Sequence, residues 1–140
     1  MKPRKPIRKK RKRTSVLDKA KLVCEEAWKA ACRRRDQNTC QVHGLSCQDP
    51  VKQVDHFRTR THGWTFFDPA NGTVVCSGLN QNKAMGVNNA AEKIAFVVLK
   101  REGQRVVDHL LERRPAPKKW TLDEIETQIE YLNGLFNSSS

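Results

Sequence analysis

The segment that decides the fold is QVDHFRTRTHGWTFFDPANGTVVCSGLNQNK, which runs from Gln53 to Lys83. It opens within an alternating, β-branched stretch that predicts a short strand over residues 51–57. Glycine, proline and Asn-Gly turn signals occupy residues 58–72, and the apolar run TVVC then predicts a second short strand. A helix is expected to begin near residues 79–80. The segment therefore predicts a ββα unit with polar residues at both junctions.

Helical patterns flank this unit on both sides. Ser15 followed by Asp18 has the spacing of a helix start, and a stripe of small and apolar residues predicts a helix over 16–34. The stripe consists of Leu17, Ala20, Cys24, Ala27, Trp28 and Ala31. Beyond the ββα unit, an asparagine start, a glycine stop and a later capping box predict further helices within 88–136.

These patterns predict an α+β protein, in which a small ββα hairpin-helix unit is embedded in a mainly helical domain. A length of 140 residues suits one domain with an extra arm. The predicted parts are a basic arm at 1–13, a domain at 14–136 and a tail at 137–140. Within the domain, the first helix covers 16–34, a cysteine-bearing knuckle and the ββα unit cover 38–86, and the C-terminal helices cover 88–136.

The net charge is +12, and much of it lies in the arm. MKPRKPIRKKRKR carries nine Lys or Arg residues and no acid, and removing these nine charges leaves +3 for the rest of the chain. Such a run is too charged to pack into a core and is typical of a phosphate-binding arm. A solubility tail is the alternative. The arm residues predicted to contact nucleic acid are Lys9, Lys10, Arg11, Lys12 and Arg13.

The chain has the features of an intracellular, cytoplasmic protein without membrane contact. No apolar segment follows the basic N-terminus, and no apolar run approaches the roughly 18 residues of a membrane helix. Five cysteines in such a chain favour metal ligands or buried thiols over disulfides. Cys24 and Cys32 fall in the predicted first helix, and we interpret them as small buried side chains.

The ββα unit contains side chains suited to phosphodiester hydrolysis, which requires a base for water, a cation and a means of aiming both. His56 is the candidate base because the ordinary pKa of histidine lies near neutrality. Asp55 and Asn80 offer the hard oxygen ligands that Mg²⁺ or Mn²⁺ prefers. Asn71, just before the second strand, is expected to orient His56. Lys83, one helical turn beyond Asn80, is a candidate phosphate contact.

The Asp-His pair has a simpler alternative, a surface turn, which composition alone leaves open. Asp55 and His56 point to opposite sides of a strand, so both reach one site only where the strand ends or bends. Arg58 and Arg60 follow directly and are candidate contacts for a nucleic-acid backbone. Two strands that lead into a helix are nevertheless the layout that one-metal nucleases use.

The order of these motifs resembles that of the HNH, or His-Me finger, endonucleases, and more closely that of the NinG/Rap recombination nucleases of lambdoid phages. The segments that carry the likeness are CQVHG at 40–44, VDHFRTR at 54–60 and NGTVVCSGLNQNKAMG at 71–86. A Gly-His-Tyr-Arg-Thr segment of the family matches 55–59, and its C-x-x-C-N-Q-H-K segment matches 76–83. The likeness extends over about residues 16–136.

The resemblance implies a ββα-metal (HNH) fold and a Mg²⁺- or Mn²⁺-dependent, structure-selective DNA endonuclease. It implies that His56 is the general base, that Asp55 and Asn80 bind the metal, and that Asn71 holds the middle asparagine position. Asn82 stands where the family has its final histidine and is a further oxygen ligand for magnesium. Members of the family cut branched recombination intermediates, such as Holliday junctions and D-loops, in the bacterial host of a phage or prophage.

The chain departs from the family at the knuckle. The family has four cysteines in two C-x-x-C pairs, whereas this chain begins with Cys40-x-x-His43 and has Leu79 in place of the last cysteine. Cys47 is an additional thiol nearby. Cys40, His43, Cys47 and Cys76 together make a Cys₃His set that suits tetrahedral zinc. The alternative is a decayed site, in which a small apolar core replaces the metal.

Two further functions stay open on the sequence. One is a non-catalytic nucleic-acid-binding module on an HNH scaffold, and the other is a basic RNA-binding protein. Asp55, His56 and Asn80 are all present, which favours the nuclease. A homodimer would suit the cutting of a junction in two places, but the apolar stripe of the last helix either joins two copies or covers the ββα unit.

Overall fold

A computed structural model describes residues 15–58, 63–112 and 118–137 of the chain. Within these ranges it contains five α-helices and one two-stranded antiparallel sheet. The elements in chain order are α1 (Val16–Asp36), β1 (Lys52–His56), β2 (Gly72–Cys76), α2 (Ser77–Met85), α3 (Ala90–Glu102), α4 (Gln104–Leu111) and α5 (Leu122–Gly134). This confirms the α+β class and the order of strands and helices. The basic arm with Lys9 to Arg13, and also Arg60, lie outside the described residues.

Helix α1 begins and extends much as its sequence pattern predicts. The Ser15 hydroxyl accepts a hydrogen bond from the Asp18 N–H at 3.0 Å, which satisfies one of the free donors of the first turn. The helix ends two residues later than predicted, at Asp36, and Gln37 follows in the left-handed region at φ 53°. Buried residues of the helix are Cys24, Ala27, Trp28, Ala31, Cys32 and Asp36.

The two strands form a hairpin in which Lys52 pairs with Cys76 and His56 pairs with Gly72. Every residue of β2 is buried. Successive side chains of β1 lie on opposite faces, as the pleat of a strand requires. Val54 packs against the apolar cluster around α1, whereas Gln53 contacts a side chain of α2.

Helix α2 begins at Ser77, directly after β2 and two residues earlier than predicted. The reason is a carboxylate that is distant in sequence. Asp49 accepts hydrogen bonds from the Ser77 hydroxyl at 2.7 Å and from the Gly78 N–H at 3.0 Å. These bonds supply partners for the first turn of α2, and they hold the pKa of Asp49 at about 2, below its usual range.

Two apolar clusters stabilise the chain. The first joins β2 to α2, α3 and α4, and includes Leu79 and Ile94. The second joins α1 to α5 and includes Trp28, Ile125 and Leu132. The apolar stripe of the last helix thus packs on α1 of the same chain. Of the helices in the described ranges, none has the length and apolar character that a membrane crossing demands.

The hairpin approaches α1 so closely that one position excludes a side chain. A Cβ atom on Gly72 would lie 2.5 Å from the Cys32 sulfur and 2.5 Å from the Trp28 ring. Arg35 reinforces this contact by donating to the carbonyl oxygens of Pro69 and Gly72. The end of α1 and the start of β2 are therefore held together by packing and by hydrogen bonds.

Candidate functional site

The four residues predicted as a Cys₃His set lie together in the structure. The ligand atoms of Cys40, His43, Cys47 and Cys76 are all within 4.8 Å of one another. The sulfur atoms of Cys40 and Cys76 each lie 3.5 Å from His43 Nδ1. Sulfur and nitrogen ligands around a tetrahedral zinc ion are separated by about 3.5 Å, given the usual bond lengths. The cluster can therefore hold a metal ion such as zinc.

Three local features bring these ligands together. The loop after α1 turns back at Cys40, whose sulfur accepts a hydrogen bond from the His43 N–H. A single 3₁₀ turn, Gly44–Ser46, then delivers Cys47 to the same point. Cys76 ends β2, and a bond from the Gln41 N–H to the Val74 carbonyl ties the loop to that strand.

The two buried thiols of the cluster differ in acidity. At Cys40, burial disfavours the thiolate, but the N–H groups that point at its sulfur, led by that of His43, outweigh burial and lower the pKa. At Cys76, burial dominates and raises the pKa of the thiol. Cys40 therefore ionises more readily than Cys76. Because the thiolate is the form that binds metal, Cys40 is the more readily available ligand of the two.

His56, the predicted base, lies at the end of β1 as the middle ring of a three-ring stack. Its centroid is 4.0 Å from the Trp28 ring and 4.5 Å from the Phe66 ring, with all three planes within 18° of parallel. Trp28 is itself fixed by a hydrogen bond from its Nε1 to the Asp68 carbonyl at 2.8 Å. The orientation of the imidazole is therefore determined by packing on both faces.

His56 also lines a cleft of about 280 Å³ between α1 and the start of α2. The residues around this cleft, hereafter the His56 cleft, are Glu25, Lys29, Arg33, Gln53, Val54, His56 and Asn80. The Asn80 amide donates to Gln53 Oε1 at 2.6 Å, and the Arg33 guanidinium donates to Asn38 Oδ1 at 2.6 Å. The cleft thus combines an imidazole, two amide side chains, one carboxylate and two cations.

Sequence reasoning missed the contribution of α1 to this cleft. Glu25, Lys29 and Arg33 are spaced by four residues, so they share one face of the helix. The sequence alone could have shown that these three charged residues share one face of the helix. Nothing in the sequence indicated that this face would lie across the cleft from His56.

Asp55 lies on the face of β1 opposite to His56 and forms a buried ion pair. Its side chain is 6% exposed, and the Lys83 ammonium lies 2.9 Å from each carboxylate oxygen. The same ammonium donates to the His56 carbonyl at 2.9 Å. Burial raises the pKa of Asp55 although the Lys83 charge opposes this. Lys83 was predicted as a phosphate contact, and the structure instead directs its donors to protein oxygens.

The predicted magnesium ligands do not converge on one site. Asp55 is engaged by Lys83, Asn80 lies in the His56 cleft, and Asn82 lines a different cleft beside the Cys₃His cluster. Asp55 and His56 point to opposite faces because β1 is regular up to its last residue. The three residues predicted to bind magnesium therefore do not form a site for one magnesium ion in the arrangement described.

Asn71 holds the backbone that follows His56. It is completely buried, and its side-chain oxygen accepts from the Arg58 N–H at 2.7 Å while its amide donates to the Arg58 carbonyl at 3.2 Å. The Phe57 N–H donates to the Asn71 carbonyl. The prediction was that Asn71 orients the His56 ring. Its hydrogen bonds fix the path of residues 57–58 instead, and this places the end of β1.

The described residues thus contain two arrangements with chemical capacity. One is a Cys₃His cluster that can bind a metal ion, and the other is a cleft with an imidazole beside cationic and amide groups. They lie on different sides of α2. Comparison of the chain with family models, curated proteins and solved structures found no match.

Proposed function

We propose that the chain is a DNA endonuclease in which His56 activates water for attack on a phosphodiester. The observation that carries the proposal is the His56 cleft. There an imidazole at the end of a ββα hairpin, held between two aromatic rings, shares a cleft with Lys29 and Arg33. A positioned base and positive charge near the reacting phosphate are what this hydrolysis requires.

In this mechanism His56 accepts a proton from water as the water oxygen forms a bond to phosphorus. The bond from phosphorus to the leaving oxygen breaks, and that oxygen keeps the electron pair and takes up a proton from solvent, while His56 returns its proton to solvent afterwards. Lys29 and Arg33 compensate the negative charge that accumulates on the phosphoryl oxygens. Trp28 and Phe66 keep the imidazole in place, so orientation is established before the substrate arrives.

The substrate class and the divalent cation come from the sequence resemblance and are part of the proposal. The substrate would be branched DNA, such as a Holliday junction or D-loop. A divalent cation, when bound, would neutralise charge on the phosphate and the leaving oxygen. Asp55 can serve such a cation only after the Lys83 ammonium has moved away from it.

We also propose that the Cys₃His cluster holds structural zinc. Leu45 at the centre of the turn is 96% exposed and adds no packing there, so the turn is held mainly by the contacts of Cys40, Val42 and Cys47 with the first apolar cluster. A metal ion would cross-link the loop after α1 to the end of β2. Structural zinc typically contributes on the order of 10 kcal/mol of apparent binding energy to the folding of small domains.

A non-catalytic nucleic-acid-binding module is the second candidate. The ion pair of Asp55 with Lys83 favours it, because a carboxylate that is already neutralised has less need of a metal ion. In this case the His56 cleft would bind a phosphate without cleaving it. The same assay separates the two candidates.

The test is cleavage of labelled Holliday junction, D-loop, fork and linear duplex by zinc-loaded protein, with or without added Mg²⁺ or Mn²⁺. Omission of the cation is preferable to EDTA, because EDTA would also extract zinc. His56→Phe removes the base but can preserve the stack with Trp28 and Phe66. It should lose activity by about 10²- to 10⁴-fold. His109→Phe, at an exposed histidine of α4, is the matched control and should cleave normally.

Cleavage that survives in His56→Phe would overturn the proposed role of His56. Binding of branched DNA without cleavage under either cation would establish the binding module instead. Failure to bind any of the four DNA structures would exclude both candidates.

A further inference from the structure

A second, larger cleft lies on the other side of α2 from the His56 cleft. Its volume is about 700 Å³, and it is bordered by the Cys₃His cluster, α2 and the turn between α2 and α3. The side chains that distinguish it are four amides, Gln48, Asn82, Asn88 and Asn89. We call it the amide cleft.

None of the four amide side chains makes a hydrogen bond to another group in the described part of the chain. The asparagines of the neighbouring site behave differently. Asn71 bonds to Arg58 with both of its amide atoms, and Asn80 bonds to Gln53. Four side chains, each able to donate and accept, therefore face one concavity with their bonding capacity unused by the protein.

The backbone of the turn supports this reading of Asn88 and Asn89. Both residues adopt left-handed φ values, 58° and 53°, which are uncommon for residues other than glycine. Asn89 is the N-cap of α3, where an asparagine usually accepts a hydrogen bond from the first turn, yet its side chain makes no cap bond. The turn thus directs two amides to solvent at the cleft instead of using them to stabilise the helix.

The charges around the cleft disfavour an ionic ligand. Asp49 is the acidic residue in its lining, and its carboxylate already accepts from Ser77, Gly78 and Val51. Lys93 is the lysine in the lining. Asp49 and Lys93 balance each other, and His43, Cys47 and Cys76 belong to the proposed zinc site, so the cleft has no concentration of positive charge and is rich in paired donors and acceptors. A neutral planar heterocycle with several polar edge atoms fits this better than a phosphate group.

We propose that the amide cleft binds an unpaired nucleobase of single-stranded DNA next to the cleavage site, which rests on the nucleic-acid function proposed above. Asparagine and glutamine amides recognise base edges by paired donor and acceptor contacts. A concave cleft admits a base only when that base is not stacked within a duplex. The base would enter with its edge toward Asn82 and the turn, and Lys93 would meet the adjoining phosphate.

The positions of Asn80 and Asn82 show how one strand reaches both clefts. Two residues apart on an α-helix, they project roughly 200° apart around the axis of α2. Asn80 lies in the His56 cleft and Asn82 lies in the amide cleft. A single strand that crosses α2 would place a phosphate beside His56 and a base beside Asn82. Branched DNA supplies such unpaired nucleotides at its centre, whereas an intact duplex does not.

The test measures binding of forked DNA whose single-stranded arms are either thymidine or abasic, by fluorescence anisotropy without added divalent cation. Omitting the cation separates this role of Asn82 from any role as a metal ligand. The base-containing arms should bind at least about fivefold more tightly than the abasic arms, as one amide–base pairing would give. Asn82→Ala and the double variant Asn88→Gly/Asn89→Gly should remove this preference, and glycine tolerates both left-handed positions.

Asn133→Ala is the matched control, since it removes an exposed asparagine side chain from α5 and should leave the preference intact. Zinc content and the unfolding temperature show that each variant retains its fold. A preference for bases that persists in both cleft variants would overturn the inference while leaving the nuclease proposal standing. Equal binding of base-containing and abasic arms by the unmodified protein would do the same. Loss of all DNA binding by the unmodified protein would remove the proposed function itself.

Discussion

The Lys83 ammonium lies 2.9 Å from both carboxylate oxygens of Asp55, whose side chain is almost completely buried. A buried ion pair of this kind adds little to folding stability compared with an apolar pair of the same shape. Removing one partner, however, leaves an uncompensated buried charge, which is strongly destabilising. The pair also joins the last turn of α2 to the end of β1. Its role in the described structure is therefore to hold the helix of the ββα unit against its first strand.

Lys83→Met should destabilise the chain by about 3 kcal/mol or more near neutral pH, because it leaves the Asp55 carboxylate buried without a partner. The deficit should shrink as the pH falls and Asp55 becomes protonated, since the protonated acid carries no charge. Burial raises the pKa of Asp55 even beside Lys83, and removing the lysine should raise it further. Urea unfolding over a pH series measures this. Lys29→Met, at a more exposed lysine with a 3.9 Å contact to Glu25, should cost about 1 kcal/mol or less. An equal loss of folding stability in Lys83→Met and Lys29→Met would contradict the structural role of the Asp55–Lys83 ion pair.

Cys76→Ser should release the proposed zinc and lower the unfolding temperature, because it removes a buried ligand that joins the knuckle to β2. The measurements are zinc per chain by a colorimetric assay and thermal unfolding of zinc-loaded protein. Cys24→Ala is the control, since it removes a buried thiol from α1 and should keep the metal. Zinc retained in full by Cys76→Ser would argue against the Cys₃His site.

Gly72→Ala should destabilise the chain by about 1–3 kcal/mol, the usual cost of overpacking, because the added Cβ would meet both Cys32 and Trp28. The near-ultraviolet circular dichroism of Trp28 should change at the same time, since the indole has to shift. Gly134→Ala offers a matched control at the end of α5, where nothing lies within 4 Å of the new Cβ. That variant should be neutral or slightly stabilising. A neutral Gly72→Ala would contradict the close approach of the hairpin to α1.

Glu124→Gln should remove a pH-dependent contribution to stability from the start of α5. Hydrogen bonds from Lys118 and from Thr121 lower the pKa of Glu124. Because the folded pKa is depressed, its stabilising contribution is present above the unfolded value of about 4.3 and is lost as the pH falls through the folded value. The unmodified chain should therefore lose more stability than Glu124→Gln over that acidic range. Glu126→Gln, an exposed acid of the same helix, should follow the unmodified chain.

Much of the fold could be predicted because its signals are local. The Ser15 cap, the Thr121–Glu124 capping box and the apolar stripe of α1 all appear in the structure as their spacing predicts. The Cys₃His set could also be predicted, because the family resemblance aligns Cys40-x-x-His43 and Cys76 with a knuckle and Cys47 lies nearby in the sequence.

The rest of the candidate site depends on contacts between segments that are distant in sequence. Asp49 sets the start of α2 from 28 residues away, and Lys83 reaches Asp55 across the same distance. The face of α1 that carries Lys29 and Arg33 meets the His56 cleft only after the hairpin has packed on the helix. Local sequence patterns contain no information about such pairings, so the two strands and the helix could be predicted while the distant partners of their side chains could not.

The packing of α1 against α5 has a consequence for the order of folding during synthesis. α1 is translated first among the described elements and α5 last, and Arg34 donates to the carbonyl oxygens of Leu132 and Leu135 at the end of α5. Until the ribosome has released α5, the face of α1 that α5 covers has no covering partner. A nascent or truncated chain that stops before α5 would expose that apolar face, and it would be prone to aggregate or to engage chaperones.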